Sequence, residues 1–155
     1  QLNVYKAIDI LTEKYNTNQL LLTGHSLGAA LATLNAFDIL YYQKNYIIHS
    51  LITFGSPRVG NEDFSKVFET YNINSIRVTH YYDMVPHVPE EFLGYRHISQ
   101  EEWYNEPNTE YTLCNDENGS EDDDCSNSCS PTKCTSTSDH LDYLQIKMGS
   151  GGYCW

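Results

Sequence analysis

The most constraining feature of the sequence is the stretch from residue 20 to residue 32, where a leucine run is followed by G-x-S-x-G and then by alanines and leucines. This order predicts a buried strand, a sharp turn and a helix in immediate succession, which is the setting of a nucleophile elbow. Strand and helix approach closely at such a turn, so its neighbours must be small, and Gly24, Gly28 and Ala29 meet this need. Ser26 is therefore the candidate nucleophile.

Length, charge and hydrophobicity limit the class of protein. The 155 residues, of which 40% are hydrophobic, suffice for one domain with a sizeable core. The formal net charge of −12 argues against a nucleic-acid partner, because phosphate binding needs clustered Lys and Arg. Much of the negative charge lies between Asp116 and Asp124, and we interpret it as solvated decoration. No apolar run approaches the roughly 18 residues that a transmembrane helix needs.

The first residues carry no targeting signal. The sequence opens with Gln1 and an amphipathic helical pattern rather than with Met and a signal peptide. We expect it to begin in mid-domain, with any targeting segment upstream.

The five cysteines bear on the compartment. Four lie in one polar stretch and the fifth stands near the C-terminus: Cys114, Cys125, Cys129, Cys134 and Cys154. The stretch lacks the Cys-x-x-Cys spacing and the His pair of a zinc site, so we predict two loop disulfides, one leftover cysteine and no metal. Disulfides need an oxidising compartment, and we expect a secreted or lumenal protein. The N-glycosylation pattern at Asn118 fits that expectation.

Hydrophobic periodicity predicts alternating helices and strands over the first half. The predicted order is a helix at 4–15, a strand at 19–23, a helix at 27–42, a strand at 47–54, a helix at 61–71 and a strand at 73–81. Such alternation predicts an α/β fold with a largely parallel sheet. Asp83 follows the last of these strands directly.

Regular patterns weaken after Pro89. Residues 95–98 predict a short strand, and the polar, acidic, cysteine-bearing residues 105–138 predict a disulfide-tied surface loop. Order returns at residues 138–144, where we expect Ser138 or Asp139 to cap a short helix with His140 at its entrance.

Three residues could together perform nucleophilic chemistry. A serine hydroxyl is a weak nucleophile unless a histidine removes its proton and a carboxylate fixes the tautomer of that histidine. In sheet-based hydrolases these groups follow the chain order Ser, Asp, His, on loops at the C-terminal ends of strands. The sequence supplies Ser26, Asp83 and His140 in that order.

Other histidines and carboxylates compete for the same roles. His25 lies inside the elbow, with its side chain expected to point away from that of Ser26. The other candidates for the base are His49, His80, His87 and His97, and those for the acid are Asp63, Asp139 and Asp142. Of the carboxylates, Asp83 is the one that directly follows a buried strand, although it could also be a plain turn residue before Val85.

Four groups of motifs together resemble one family. They are GHSLGAALA at 24–32, TFGSPRVGN at 53–61, RV at 77–78 with DMVP at 83–86, and YRH at 95–97 with EWY at 102–104. Over nearly its whole length the sequence resembles the class 3 (fungal-type) lipases. The resemblance implies an α/β-hydrolase fold and cofactor-free hydrolysis of lipid carboxylic esters at a lipid–water interface. It also implies that Ser26 is the nucleophile, Asp83 the acid and His140 the base.

The same resemblance implies further features. The backbone N–H of Leu27 would be one oxyanion donor, since amides at the start of a helix are unpaired. In that family the second donor, the lid and the first strands precede the elbow, so residues 1–155 would form one partial lipase domain with those parts upstream. A link between the two chain ends, common in the family, would account for Cys154. The cysteine-bearing insertion at 125–134 departs from the family pattern.

Several alternatives stay open at this point. The ester could be that of a phospholipase A1, a galactolipid hydrolase or a feruloyl esterase. The chain could be a non-catalytic fragment or a pseudoenzyme of the same fold. The cysteine-bearing loop could be a binding module on a hydrolase scaffold. The oligomeric state is open too.

Overall fold

Helices and strands alternate along the chain as the hydrophobic pattern predicts. A computed structural model describes residues 2–42, 45–98, 100–116, 120–129 and 133–149. The helices are α1 (Leu2–Tyr15), α2 (Leu27–Tyr41), α3 (Glu62–Glu69) and α4 (Thr137–His140). The strands are β1 (Gln19–His25), β2 (Ile47–Phe54), β3 (Gly60–Asn61), β4 (Ser75–His80), β5 (Tyr95–Arg96), β6 (Glu101–Tyr104), β7 (Tyr111–Leu113), β8 (Asp142–Tyr143) and β9 (Ile146–Lys147).

A five-stranded sheet with the order β1-β2-β4-β6-β7 positions the site. The first four strands are parallel, and β7 runs antiparallel to β6. Parallel neighbours need a crossover, which α2 supplies between β1 and β2 and α3 supplies between β2 and β4. The carboxyl ends of β1, β2, β4 and β6 therefore share one edge of the sheet, where ligands bind in open α/β sheets.

The core lies between the sheet and the crossover helices. It is built from apolar side chains of α2, β2 and α3 with one residue that follows β5: Ala36, Ile39, Ile48, Leu51, Phe68 and Ile98. Small residues on α2 let that helix lie close to the sheet, and Ala29 and Ala36 are fully buried. This packing holds the start of α2, and hence the elbow, against β1.

The cap of the closing helix differs from the expectation. Ser136, not Ser138 or Asp139, is the N-cap of α4, and its Oγ accepts a hydrogen bond from the Asp139 N–H at 3.0 Å. Ser136 has the extended backbone that an N-cap needs, whereas the other two are already helical. His140 consequently ends the helix instead of standing at its entrance.

The described part of the stretch at 105–138 contains regular structure that we did not expect of a surface loop. It contains β7 and a 3₁₀ turn at Ser126–Ser128, and β6 just before it was not predicted either. The two predicted loop disulfides are confirmed, as Cys114–Cys125 and Cys129–Cys134. Cys154 and Asn118 lie outside the described residues.

Part of the acidic run is buried, which corrects its interpretation as solvated decoration. The Arg77 guanidinium pairs with Asp116 at 2.6 Å, and that of Arg58 pairs with Glu121 at 2.6 Å. The exposed fraction of each of these four side chains is 5% or less. The two carboxylates are counter-ions of core arginines, so they tie the loop to the sheet.

Candidate active site

Ser26 occupies a strained turn between β1 and α2. Its φ of 58° and ψ of −128° are unusual for a residue with a side chain, and its N–H donates to the Phe54 carbonyl at 3.0 Å. A Cβ on Gly24 would lie 2.2 Å from the Gly28 carbonyl oxygen, so this position excludes any side chain. The elbow predicted from G-x-S-x-G is therefore present, and its first glycine is required for strand and helix to approach.

Ser26, His140 and Asp83 form one continuous chain of hydrogen bonds. His140 Nε2 lies 2.9 Å from Ser26 Oγ, and Nδ1 lies 2.9 Å from Asp83 Oδ2. A carboxylate can only accept, so the His140 proton is on Nδ1 and Nε2 is left to accept from the serine hydroxyl. The structure thus brings together the three residues that the sequence singled out, in the arrangement of a nucleophile, a base and an orienting acid.

The Asp83 carboxylate is held by more than His140. Its Oδ2 also accepts a 2.5 Å hydrogen bond from the Tyr143 hydroxyl, and its Oδ1 accepts one of 2.8 Å from the Val85 N–H. Burial of Tyr143 and the nearby charge of Asp83 raise the pKa of the phenol well above its usual value. Tyr143 is therefore a neutral donor at all physiological pH values, and it fixes the orientation of the Asp83 carboxylate.

Gly55 lies directly against the contacts among Asp83, Tyr143 and His140. It follows β2 with a φ of +54°, and a Cβ there would lie 2.8 Å from Asp83 Oδ2, 2.8 Å from the Tyr143 hydroxyl and 3.0 Å from His140 Nδ1. A side chain at this position would displace the contacts that orient His140. Sequence analysis did not find this role or that of Tyr143, although a glycine directly after a buried strand is a usable signal.

The competing histidines make other contacts. His25 Nε2 lies 2.7 Å from the His140 carbonyl oxygen, and the centroids of the two imidazole rings are 4.5 Å apart. His25 therefore packs against His140, and the hydrogen bond to Ser26 Oγ is made by His140. His80 lies within 3.1 Å of the Asp139 and Glu106 carbonyls. Burial lowers the pKa of His97 well below its usual value, and its Nε2 faces the Pro86 carbonyl.

The competing carboxylates are also engaged elsewhere. Asp139 Oδ2 accepts from the Tyr82 N–H at 3.2 Å, and Asp142 pairs with Lys147. Asp63 lies in the first turn of α3. Among the described residues, Asp83 is the carboxylate in hydrogen-bond contact with His140.

The family assignment agrees with this geometry. The model of the family Lipase (class 3) matches residues 2–93, more than half of the sequence. The chain belongs to the class 3 lipases.

Relatives within and beyond the fungi are similar to this class 3 lipase chain. A lipase of Rhizopus niveus is 39% identical over 138 residues, which are 86% of this chain and 34% of the relative. The secreted mono- and diacylglycerol lipase 1 of Fusarium solani is 40% identical over 101 residues, 65% of this chain and 29% of that protein. Phospholipase A1-II 1 of Oryza sativa subsp. indica is 43% identical over 97 residues, which are 61% of this chain and 24% of that protein.

Solved structures establish the fold. Lipase II from Rhizopus niveus superposes with a TM-score of 0.83 at 34% identity, covering 95% of this chain and 55% of that one. A triacylglycerol lipase whose catalytic centre is a serine protease triad superposes with a TM-score of 0.77 at 32% identity. The match covers 92% of this chain and 53% of that one. The fold is that of the α/β-hydrolases, as predicted. The chain spans about a third of the length of the sequence relatives and about half that of the solved chains.

Arg58 of the class 3 motif at 53–61 braces the segment that follows the acid. Its guanidinium donates to the His87 and Pro89 carbonyls at 2.8 and 3.1 Å and forms two hydrogen bonds to Glu121. Burial raises the pKa of Glu121, but the contacts with His97 and with the Arg58 guanidinium lower it more, and the net pKa is about 2. Glu121 therefore stays ionised and keeps Arg58 in place.

Proposed function

We propose that this chain carries the catalytic residues of a serine hydrolase that cleaves carboxylic ester bonds in lipids. Ser26 is the nucleophile, His140 the general base and Asp83 the acid that orients it. The observation that carries the proposal is the unbroken hydrogen-bond chain from Ser26 Oγ through His140 to Asp83, with both contacts at 2.9 Å. The names of the fungal relatives, all lipases, support a lipid ester as substrate.

The geometry fits acyl transfer through a covalent intermediate. His140 Nε2 takes the Ser26 proton as Oγ attacks the ester carbonyl, and Asp83 stabilises the imidazolium that forms. His140 then gives this proton to the leaving alcohol, which leaves an acyl group on Oγ. Water attacks that acyl-enzyme in the second half, with His140 again as base, and the fatty acid departs.

The developing oxyanion needs donors beside Ser26. Leu27 is the first residue of α2, so its backbone N–H has no acceptor within the helix and lies at the positive end of the helix dipole. We assign it as one oxyanion donor. The loss of one such donor typically lowers turnover by ~10²–10³.

The surroundings of the three residues favour an apolar substrate. Each is followed in the sequence by an exposed apolar side chain: Leu27 is 68% exposed, Met84 37% and Leu141 44%. Apolar groups exposed around polar catalytic atoms suit the acyl chains of a lipid aggregate. We therefore propose that the enzyme acts at a lipid–water interface.

Secretion is part of the proposal. Two disulfides suit an oxidising compartment, and the Fusarium solani relative is named a secreted lipase. No helix in the described part of the chain has the length and apolarity needed to cross a membrane.

A phospholipid ester is the second candidate substrate. It is favoured by the similarity to phospholipase A1-II 1 of Oryza sativa, which covers 61% of this chain. Hydrolysis of matched triacylglycerol and phosphatidylcholine emulsions by the natural protein separates the two, and a higher kcat/KM on the phospholipid would favour this candidate.

A fluorophosphonate probe tests the catalytic assignment in the natural protein, because it reacts with activated serines. We expect labelling that is lost in Ser26→Ala, together with a loss of ester turnover of about 10⁶. Asp83→Asn and His140→Ala should reduce both readouts, whereas the exposed Ser128→Ala should leave them unchanged. Labelling that survives Ser26→Ala would overturn the assignment, and an unlabelled but folded natural protein would favour a pseudoenzyme.

A further inference from the structure

A cavity of about 260 Å³ opens at the carboxyl end of β6. Aromatic and acidic side chains line it: Tyr81, Trp103, Tyr111, Glu106 and Glu110, with the Asn105 amide between them. Neither the hydrogen-bond chain at Ser26 nor the loop braced by Arg58 uses these residues. We call this cavity the aromatic pocket.

The aromatic pocket has the character of a cation site. Three aromatic residues and two carboxylates line it, and none of its lining residues is Lys, Arg or His. The indole N–H of Trp103 is already satisfied, because it donates to the Tyr81 carbonyl at 3.1 Å. The ring systems attract positive charge through their quadrupoles, and the carboxylates add a net negative potential.

The acidic wall is braced before any ligand arrives. Asn105 Oδ1 accepts hydrogen bonds from the Thr109 and Glu110 N–H groups at 3.0 and 3.3 Å, which fixes the turn between β6 and β7. The Glu106 carbonyl lies 3.1 Å from His80 Nε2. A turn held in this way loses little conformational freedom on binding, which favours affinity.

We propose that the aromatic pocket binds a quaternary ammonium group. Such a group cannot donate ordinary hydrogen bonds and relies on aromatic rings and nearby carboxylates, which is what this pocket offers. The ligand chemistry is that of choline, either free or as the headgroup of a lipid.

The sheet topology separates this site from the proposed catalytic one. Ser26 follows β1, Asp83 follows β4 and the aromatic pocket lies at the end of β6. All three therefore lie at the carboxyl ends of the parallel strands. Three strand spacings of about 4.8 Å place the pocket roughly 15 Å from the elbow. A lipid headgroup held there belongs to a neighbour of the lipid under attack, so the pocket contributes affinity for the surface and not bond cleavage.

The direct test is calorimetric titration of the natural protein with choline and with its neutral isostere 3,3-dimethyl-1-butanol. We expect saturable choline binding, with the isostere at least about fivefold weaker. Glu106→Gln with Glu110→Gln should weaken choline binding about fivefold or more, and Trp103→Phe should weaken it less. The matched control, Glu13→Gln with Asp63→Asn, removes two exposed charges elsewhere and should leave the choline affinity unchanged.

The outcomes separate this proposal from the catalytic one. No saturable choline binding, equal binding of the isostere, or an unchanged choline affinity in the pocket variants would each overturn it. Fluorophosphonate labelling at Ser26 should be unaffected by the Glu106 and Glu110 substitutions, so failure of either proposal leaves the other intact.

Vesicles identify the source of the ammonium group. If binding to phosphatidylcholine vesicles exceeds binding to phosphatidylglycerol vesicles and free choline competes, the ligand is a lipid headgroup. If choline binds the pocket but the protein binds both kinds of vesicle equally and free choline does not compete, the ligand is a free solute, and the pocket assignment stands.

Discussion

Tyr143 and Asp83 are joined by a 2.5 Å hydrogen bond from the phenol to carboxylate Oδ2, the same oxygen that accepts from His140 Nδ1. Tyr143 lies three residues after His140, so one short segment supplies both the proposed base and the group that aligns the Asp83 carboxylate. Tyr143 has an exposed fraction of 1%, so this bond is shielded from solvent.

Tyr143→Phe should lower kcat about 10- to 100-fold, because a hydrogen bond to a charged group contributes about 1.5–3 kcal/mol. KM should change little, since Tyr143 touches the acid and not the substrate. Steady-state kinetics measure this, and the split between a lowered kcat and an unchanged KM distinguishes positioning of the Asp83 carboxylate from a general structural defect. Tyr15→Phe, at an exposed tyrosine of α1, is the control; an unchanged kcat in Tyr143→Phe would contradict the positioning role.

Gly55→Ala should abolish fluorophosphonate labelling of Ser26 while the protein stays folded. The new Cβ would meet Asp83 Oδ2 and the Tyr143 hydroxyl at 2.8 Å, so these groups must separate. Gly94→Ala is a matched control, because Gly94 also has a positive φ (+88°) but nothing lies within 4 Å of its added Cβ. Both variants carry backbone strain of about 1 kcal/mol. Equal labelling of the two would rule out steric damage at Gly55.

Glu121→Gln should destabilise the protein by about 3–5 kcal/mol near neutral pH, since it leaves the buried Arg58 charge unpaired. The folded pKa of Glu121 is about 2, below its ordinary 4.5, so the stability it confers is present above about pH 4.5 and fades as the pH falls toward 2. Denaturant unfolding from pH 7 to 2 should show the two proteins converging. Asp123→Asn, an exposed change in the same run, should differ from the natural protein by under about 0.5 kcal/mol. A constant difference across the pH range would contradict the ion pair.

Removing either disulfide should lower stability, and the loss should be larger for the disulfide that closes the longer loop. Cys114→Ser with Cys125→Ser opens a loop with a sequence separation of 11, which predicts a loss of about 3 kcal/mol. Cys129→Ser with Cys134→Ser opens one of 5 and predicts about 2 kcal/mol. Thermal unfolding under oxidising conditions measures both. A larger loss for the second pair would show that its native contacts, and not chain entropy, dominate.

The parts of the fold set by local patterns could be predicted from the sequence. The leucine run, the glycines around Ser26 and the alternation up to residue 81 each depend on neighbours a few residues away. The elbow, three strands and the alternation of helices followed from them. Asp83 could be predicted as well, because its position directly after a buried strand is itself a local feature.

The parts set by distant contacts could not be predicted. β6 begins with Glu101, which a local pattern marks as exposed, yet it is 1% exposed beside Arg77 and Thr79. Asp116 and Glu121 look like solvated acids until the arginines that face them are known. The Tyr143 contact and the place of Gly55 below the acid likewise depend on three-dimensional proximity between segments far apart in the sequence.

Ser26 and His140 are separated by 114 positions, and Asp83 stands 57 positions before His140. The loop-closure entropy of such distant pairs must be overcome before any of them can meet. Strand β1, strand β4 and helix α4 must all have docked before the serine has a base. Covalent labelling of Ser26 is therefore a readout of completed folding: a species in which one of these elements is detached should be chemically silent even where its core has already collapsed.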